Sequence, residues 1–509
     1  MRIATAQQMR ELDRLTIETG RHTALELMER AAAALAAAAV ELAGKPTGRA
    51  VCFCGAGNNG GDGVGCARLL LERGFEVRCI LVGQREKMTH STRSMEFQLI
   101  SAGGKLEEFQ PDDPEFARWC LECDVMVDAL FGIGLNTAVC GDALTAVHMM
   151  NTCEIPVLSA DIPSGVEADT GRIFGAAVHA KRTVTFTLPK AGHYVGKGGL
   201  CTGELTVADI GIPRELVDAQ EYPVQSVEAD DIHLPHRQLD AHKGDFGKVY
   251  ILGGSVGYTG APALAARAAV RTGTGLVNLG LPAPVWPIVA AKLDEPMPHP
   301  LPAGKDGQLS LEAGEAALAQ ISSCGICLLG PGLGRSNSTA AVVRHLLQEI
   351  RLPVVLDADG INALEGHIDV LDARQGLHTV LTPHDGEFAR LGGDLSDGDR
   401  LRAARTFAME HTCCLVLKGH RTITAFPDGS AYINTTGNPG MAKGGSGDVL
   451  SGIILSLLGQ GFPARQAVPM AVWLHGAAGD VCAQEIGEYG MTPSDLIDAL
   501  PAVIRKHVG

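Results

Sequence analysis

Short apolar runs alternate with helical patterns along most of this chain. Ala50–Cys54, Glu76–Val82, Asp124–Asp128, Pro156–Ala160 and Arg182–Phe186 have the length and residue types of strands. Helical stretches such as Val64–Arg73 separate most of them, and an Ala-rich packed helix is expected to begin near Thr23. A second series opens at Lys248–Leu252. It continues through Ile326–Leu329, Val354–Asp357, Thr379–Thr382 and Leu415–Leu417. The stretch Thr422–Tyr432 then reads as a hairpin turning at Asp428-Gly429. Short apolar strands alternating with helices predict mostly parallel sheets covered on both faces.

The two series are separated by an acidic, polar segment with weak periodicity that contains Pro213, Pro223 and Pro235. A domain boundary is expected between Tyr222 and Asp230, giving domains 1–222 and 223–509. The fold class is α/β in both.

Composition narrows the partners. A net charge of −16 argues against nucleic acid or an anionic membrane, which need basic surface. Aromatic residues make up 4% of the chain, too few for extended base-stacking platforms. Residues 1–20 are charged and polar, unlike a signal peptide, and the Ala-rich run Ala31–Val40 is too short to span a bilayer. The fourteen cysteines include two CxxC pairs, Cys120/Cys123 and Cys324/Cys327, far apart in sequence. Reduced thiols in a cytoplasmic protein are the expectation.

The chemistry sits at strand ends. In the first series Ala50–Cys54 runs into Gly55-Ala-Gly-Asn-Asn-Gly-Gly-Asp-Gly63, expected to be a loop before a helix. Such a junction binds anions at the carboxyl edge of a parallel sheet. No Gly-Lys-Ser/Thr follows, and Asn58, Asn59 and Asp62 place oxygens that suit a cation as well as a phosphate. Asp128 ends another strand, and Asp161 a third within Asp161-Ile-Pro-Ser-Gly165. Each aspartate alone could be a cap or a turn; three adjacent strand ends point to one pocket.

In the second series Asn438-Pro-Gly-Met-Ala-Lys-Gly-Gly-Ser-Gly-Asp448 leads into the apolar helical pattern Val449, Leu450, Ile453, Ile454 and Leu457. Glycine amides and a helix N-terminus form an anion hole, and a carboxylate there suits a general base for a substrate hydroxyl. Four further elements accompany it: Gly253–Leu264, Gly330-Pro-Gly-Leu-Gly334, Leu381–Glu387 and Lys418-Gly-His-Arg-Thr422. Lys418 and Arg421 can neutralise phosphates.

The Gly-x-Gly-Asp element resembles the ribokinase-like superfamily, and its longer form resembles the nucleotide-dependent NAD(P)H-hydrate dehydratases. The Gly55–Gly63 run with Asp161–Gly165 resembles the YjeF N-terminal family, the NAD(P)H-hydrate epimerases. These resemblances imply a Rossmann-like three-layer α/β/α domain followed by a ribokinase-like domain. They imply that Asn58, Asn59, Gly60, Gly61 and Asp62 hold a dinucleotide hydrate together with Gly132, Ile133, Gly134, Leu135, Asn136, Thr137 and Ala138. By the same likeness Asn59, Asp128 and Ser164 are potassium ligands, and Asp161 contacts substrate as the candidate acid/base. Lys190 assists it or is merely solvated. In the second domain Ala263, Gly332, Gly334, His384 and Asp448 would contact the hydrate. Lys418, Gly419, His420, Arg421, Thr422 and Gly447 would hold ADP or ATP with magnesium.

The implied activity is repair of hydrated NADH and NADPH. The first domain interconverts the R and S hydrates. The second phosphorylates the hydroxyl of the S hydrate through Asp448 and lets phosphate leave. Two rivals stand beside it: a vitamin-precursor kinase, and a first domain that binds ligand without catalysis. Apolar helices in an Ala-rich chain suit assembly into a homo-oligomer.

Overall fold

The computed structural model describes residues 1–509, which separate into two units. One comprises Arg2–Val224 with Gly398–Arg400; the other comprises Met1, Gln225–Asp397 and Leu401–Gly509.

The first unit is built on a seven-stranded sheet: β1 (Arg49–Cys54), β2 (Glu76–Leu81), β3 (Leu106–Glu108), β4 (Val125–Ala129), β5 (Val157–Ala160), β6 (Arg182–Phe186) and β7 (Glu204–Ala208). Their order is β3-β2-β1-β4-β5-β6-β7, every pair parallel. Alternate residues of β1 serve opposite faces. Ala50, Cys52 and Cys54 join one apolar cluster, Val51 and Phe53 the other. That two-sided burial is why β1 reads as a continuous apolar run. On one face lie α1 (Ala6–Glu18), α2 (Ala24–Ala43) and α3 (Asn58–Glu72). Thr5 and Thr23 cap α1 and α2 through capping boxes with Gln8 and Glu26.

One expectation is corrected here. The Asn58–Gly63 stretch is the first turn and a half of α3 rather than a loop before it, with Gly57 at the N-cap. The glycines serve close packing: a Cβ on Gly60 would lie 1.7 Å from the Gly55 carbonyl oxygen. The segment therefore stays helical while its backbone touches the strand end.

The strands of the second unit that bear on the site or lie beside it are β8 (Lys248–Leu252), β9 (Leu276–Pro282), β10 (Met297–Leu301), β11 (Ile326–Leu329), β12 (Val354–Leu356), β13 (Thr379–Leu381), β14 (Cys414–Leu417), β15 (Ile423–Ala425) and β16 (Ala431–Asn434). They run β16-β15-β14-β13-β12-β11-β8-β9-β10. The pairs from β14 to β10 are parallel, and β14, β15 and β16 pair antiparallel through the expected hairpin. Three helices bear on the site: α4 (Gly260–Arg271), α5 (Ser446–Gly459) and α6 (Ala464–Glu485). Helix α5 is buried nearly all round and packs on α4 and β11. No helix of the chain is long and apolar enough to cross a membrane.

Candidate active sites

Parallel strands bring their carboxyl ends to one edge, and in the first unit that edge carries the acidic residues. Asp161 follows β5 with φ of 63°, a left-handed backbone rare outside glycine. Lys190, just beyond β6, places Nζ 2.6 Å from Asp161 Oδ1 and 2.8 Å from Thr185 Oγ1. Thr185 donates to the same carboxylate at 3.1 Å. Lys190 is 1% exposed, so the solvated reading of this lysine is wrong.

His193 fixes the turn from behind. Its Nδ1 accepts the Lys190 amide at 2.9 Å, leaving Nε2–H to donate to the Asp161 carbonyl at 2.8 Å. Burial, with Lys190 nearby, pushes His193 down to about 4, so the ring is neutral. Burial alone would raise the Asp161 pKa, but the Lys190 charge and hydrogen bond lower it.

Asp161 and Lys190 face a cavity of about 150 Å³. Asn58 and Asp62, one helical turn apart on α3, line it with Ile133, Asp161 and Lys190. Burial lifts the Asp62 carboxyl well above the ordinary range, and Asp161 and Asp13 add to the effect. Gly60 and Gly61 lie behind the cavity, packed against Gly55 and Met28. Gly132 touches the site closely: a Cβ there would lie 3.1 Å from Asn59 Oδ1 and 3.2 Å from Asp161 Oδ2. Gly134 and the stretch Asn136–Ala138 are exposed, with Leu135 half-buried, and none of them lines the cavity.

Asp128 sits deeper, within β4. Ser159 donates to Oδ2 at 2.7 Å, and the Ser164 amide to the same oxygen at 2.9 Å. Ser164 Oγ donates to Oδ1 at 2.5 Å and the Leu130 amide at 3.4 Å. Burial nevertheless raises the Asp128 pKa. All four donors are neutral, so the carboxylate's charge is stabilised by dipoles only. Asn59 Nδ2 is buried without a hydrogen-bond partner. A monovalent cation among these oxygens would balance the charge.

In the second unit the same edge gathers the ends of β8, β11, β12, β13 and β14. Asp448 lies in the first turn of α5, whose N-cap Gly445 has φ of 105°. Burial raises Asp448 to about 7; Asp357 adds to the rise and Lys418 opposes it. Lys418 Nζ is 2.9 Å from Asp357 Oδ1 and 3.9 Å from Glu387 Oε2. Thr382 donates to Asp357 at 2.8 Å. Burial works against the Lys418 charge, but Asp357, Glu387 and Asp448 outweigh it and raise its pKa. A Cβ on Gly447 would sit 3.2 Å from Lys418 Nζ, so lysine and anion hole are adjacent.

The remaining expected positions divide. The Gly332 carbonyl accepts from Ser255 Oγ at 2.8 Å, and the Gly334 amide donates to Asp359 at 2.8 Å. Gly334 is thereby fixed beside the Asp357–Asp359 turn, and Gly332 packs against Tyr258 and Ala261. Ala263 is buried on α4. His384 is exposed at the N-cap before Asp385–Arg390, its Nδ1 accepting the Gly386 amide at 3.0 Å. Gly419 and His420 are exposed, Thr422 bonds back to the Gly419 carbonyl at 3.1 Å, and Arg421 donates to the Thr435 carbonyl. The first half of the signature is structural. Asn438 Nδ2 donates to Asp480 at 2.9 Å, and Lys443 donates to the carbonyls of Tyr489 and Met491. A larger cavity, about 810 Å³, is lined by Leu234, Phe246, Phe462 and others and contains none of these residues.

Sequence reasoning gave no role to Asp13, Thr185, His193, Asp357, Asp359 or Glu387. Asp357 carried the same signal as Asp128 and Asp161, an aspartate at a strand end.

Residues 249–502 match the family model described as NAD(P)H-hydrate dehydratase, and residues 24–192 match YjeF-related protein N-terminus. The bifunctional NAD(P)H-hydrate repair enzyme of Moorella thermoacetica is 42% identical, over 99% of this chain and 97% of that protein. Its namesake from Thermofilum pendens is 38% identical, over 99% and 96%. A Bacillus subtilis ADP/ATP-dependent NAD(P)H-hydrate dehydratase, co-crystallised with ATP/Mg2+, is 32% identical with a TM-score of 0.49, covering 56% of this chain and 99% of that one. With both family models matched and relatives aligned end to end, the chain belongs to the family of bifunctional NAD(P)H-hydrate repair enzymes.

Proposed function

We propose that this chain repairs hydrated NADH and NADPH in two steps. The first unit epimerises the R and S hydrates. The second dehydrates the S hydrate to NADH or NADPH, converting ADP to AMP (or ATP to ADP) and releasing phosphate. The observation that carries the reading is Asp448, a carboxyl poised near neutrality between a glycine-framed helix N-terminus and Lys418.

A base with a pKa near 7 can take the proton of the hydrate's hydroxyl at physiological pH. That oxygen then attacks the terminal phosphoryl group, and the α5 amides with Lys418 stabilise the charge that develops. Phosphate leaves far more readily than hydroxide, and the ring nitrogen's lone pair drives the elimination. His384, Ala263, Gly332 and Gly334 would border the hydrate, and the Lys418–Thr422 turn with Gly447 the nucleotide. Magnesium, held largely by the nucleotide's own phosphates, supplies further neutralisation when bound.

In the first unit Asn58, Asp62, Asp161 and the Gly132–Ala138 loop would hold the hydrate. Potassium fits the oxygen set of Asn59, Asp128 and Ser164, because Asp128 is a buried carboxylate satisfied by neutral donors alone. There it would balance Asp128 and steady the loop that carries Asp161. The metabolite substrates favour a cytoplasmic setting.

The test is Asp448→Asn in the full chain. It should lose dehydration of the S hydrate while epimerising the R hydrate at the normal rate. Normal dehydration by Asp448→Asn would overturn the assignment.

A further inference from the structure

Asp13 lies on α1, before residue 24, where the matched family model begins. Met9, Asp13 and Ile17 are spaced at i, i+4 and i+8, so they share one stripe of the helix. That stripe forms a wall of the cavity that also holds Asp62, Asp161 and Lys190. A carboxyl between a methionine and an isoleucine, facing a pocket, has no packing role that alanine or leucine would not fill better.

The charges around it are unequal. Asp161 is tied to Lys190 and Thr185 and held as a carboxylate. The groups facing Asp13 are Asp62 on α3, Asp161, and Lys190, which is already engaged by Asp161. One lysine therefore stands against three carboxyl groups in a half-dry pocket. Burial raises Asp13 to about 6, Asp161 adds to the rise, and Lys190 pulls against it. Asp13 can thus carry and release a proton near neutral pH, which Asp161 in its ion pair cannot do as readily.

We propose that Asp13 is the second proton-transfer residue of the epimerase pocket, working opposite the Asp161–Lys190 pair. The proposal rests on the epimerase reading of this unit. Inversion at the hydrate's carbinol carbon requires its C–O bond to break and reform on the other face. Asp13 gives its proton to the departing hydroxyl. The C–O pair leaves with the oxygen as water, and the ring nitrogen's lone pair stabilises the carbon. A second water adds to the opposite face. Its oxygen, now a strongly acidic protonated alcohol, passes a proton to the Asp161 carboxylate. Asp161 returns that proton to Asp13 through solvent. One water leaves and one enters, and nothing is oxidised or reduced. In the reverse direction the two carboxyl groups exchange roles.

The test uses the full chain without nucleotide, so that the dehydratase is silent. Single epimers in water enriched in oxygen-18 are followed by chromatography and mass spectrometry. Asp13→Asn should lower kcat for epimerisation by about 100-fold or more while KM changes little. The wild-type fall in kcat above about pH 6, where Asp13 loses its proton, should vanish in this variant. Asp13→Glu should restore part of the rate. Dehydration of the S hydrate with ADP, a property of the other unit, should be unchanged, and an unshifted calorimetric transition of the first unit shows that the variants are folded there. Each turnover should bring one oxygen-18 into the product. Wild-type kcat in Asp13→Asn, or epimerisation without label, would overturn the proposal alone. A wild-type chain that leaves both epimers unchanged would overturn the epimerase reading with it.

Discussion

Replacing Lys190 with methionine isolates the interaction that organises the first pocket. Methionine keeps most of the volume and removes the charge. Lys190 is 1% exposed and the Asp161 side chain 10%, so the orphaned carboxylate would be left nearly dry. Breaking a buried pair by removing one partner costs about 3–5 kcal/mol. For a unit of this size that corresponds to a fall of roughly 6–20 °C in its melting midpoint. The pH dependence follows from the shift. In the wild type folding depresses the Asp161 pKa, so the pair contributes stability above the ordinary aspartate value of about 3.9 and loses it as pH falls through the depressed value. In Lys190→Met burial, opposed now only by neutral donors such as Thr185, raises Asp161. The variant's deficit is then largest at neutral pH and narrows as acid protonates the carboxyl. The assay is calorimetry of the first unit's melting transition in the full chain, with dehydratase activity as the internal control. Adding Asp161→Asn should recover at least half of the lost stability, because the uncompensated charge is gone. A midpoint shift under about 1 °C for Lys190→Met, or a double variant no more stable than the single, would refute the reasoning.

Three further outcomes are expected. For dehydration, kcat/KM should rise with pH through about 7 as Asp448 loses its proton, and the residual rate of Asp448→Asn should lack that step. Ser164→Ala removes a hydroxyl that donates to Asp128 and accepts the Phe131 amide at 2.9 Å; calorimetry should show a loss of about 1–3 kcal/mol from the first unit. Gly60→Ala places a methyl group against the Gly55 carbonyl, so α3 must move; stability should fall by about 1–3 kcal/mol or more, with loss of epimerisation, while the dehydratase works normally.

The parallel strands were legible because they are apolar on both faces, and Arg182–Phe186, Lys248–Leu252 and Ile326–Leu329 coincide with the observed elements. Edge strands were not. β3 is Leu-Glu-Glu, and β10 carries Pro298 and Pro300, whose missing amides fall on one side that an edge can leave unpaired. β9 is interrupted by Gly280, required because a Cβ there would lie 1.9 Å from the Tyr250 hydroxyl. The strand-end aspartates could be read as a site because parallel strands finish at one edge. Their partners could not. Asp161 and Lys190 are 29 residues apart and meet only because β5 pairs with β6. The Met9–Asp13–Ile17 stripe has a helical period, but nothing in it tells which cavity the helix will cover. The Asn58–Gly63 glycines read as a loop because contact with the Gly55 carbonyl has no signature in sequence.

The most direct test gives the wild-type chain a mixture of R- and S-hydrated NADH with excess ADP and, in parallel, ATP, and follows NADH absorbance and free phosphate together. Repair by both units predicts that absorbance returns for the whole mixture, with one phosphate released per NADH and no phosphorylated dinucleotide persisting. A stable phosphorylated product, or no return of absorbance with either nucleotide, would contradict it.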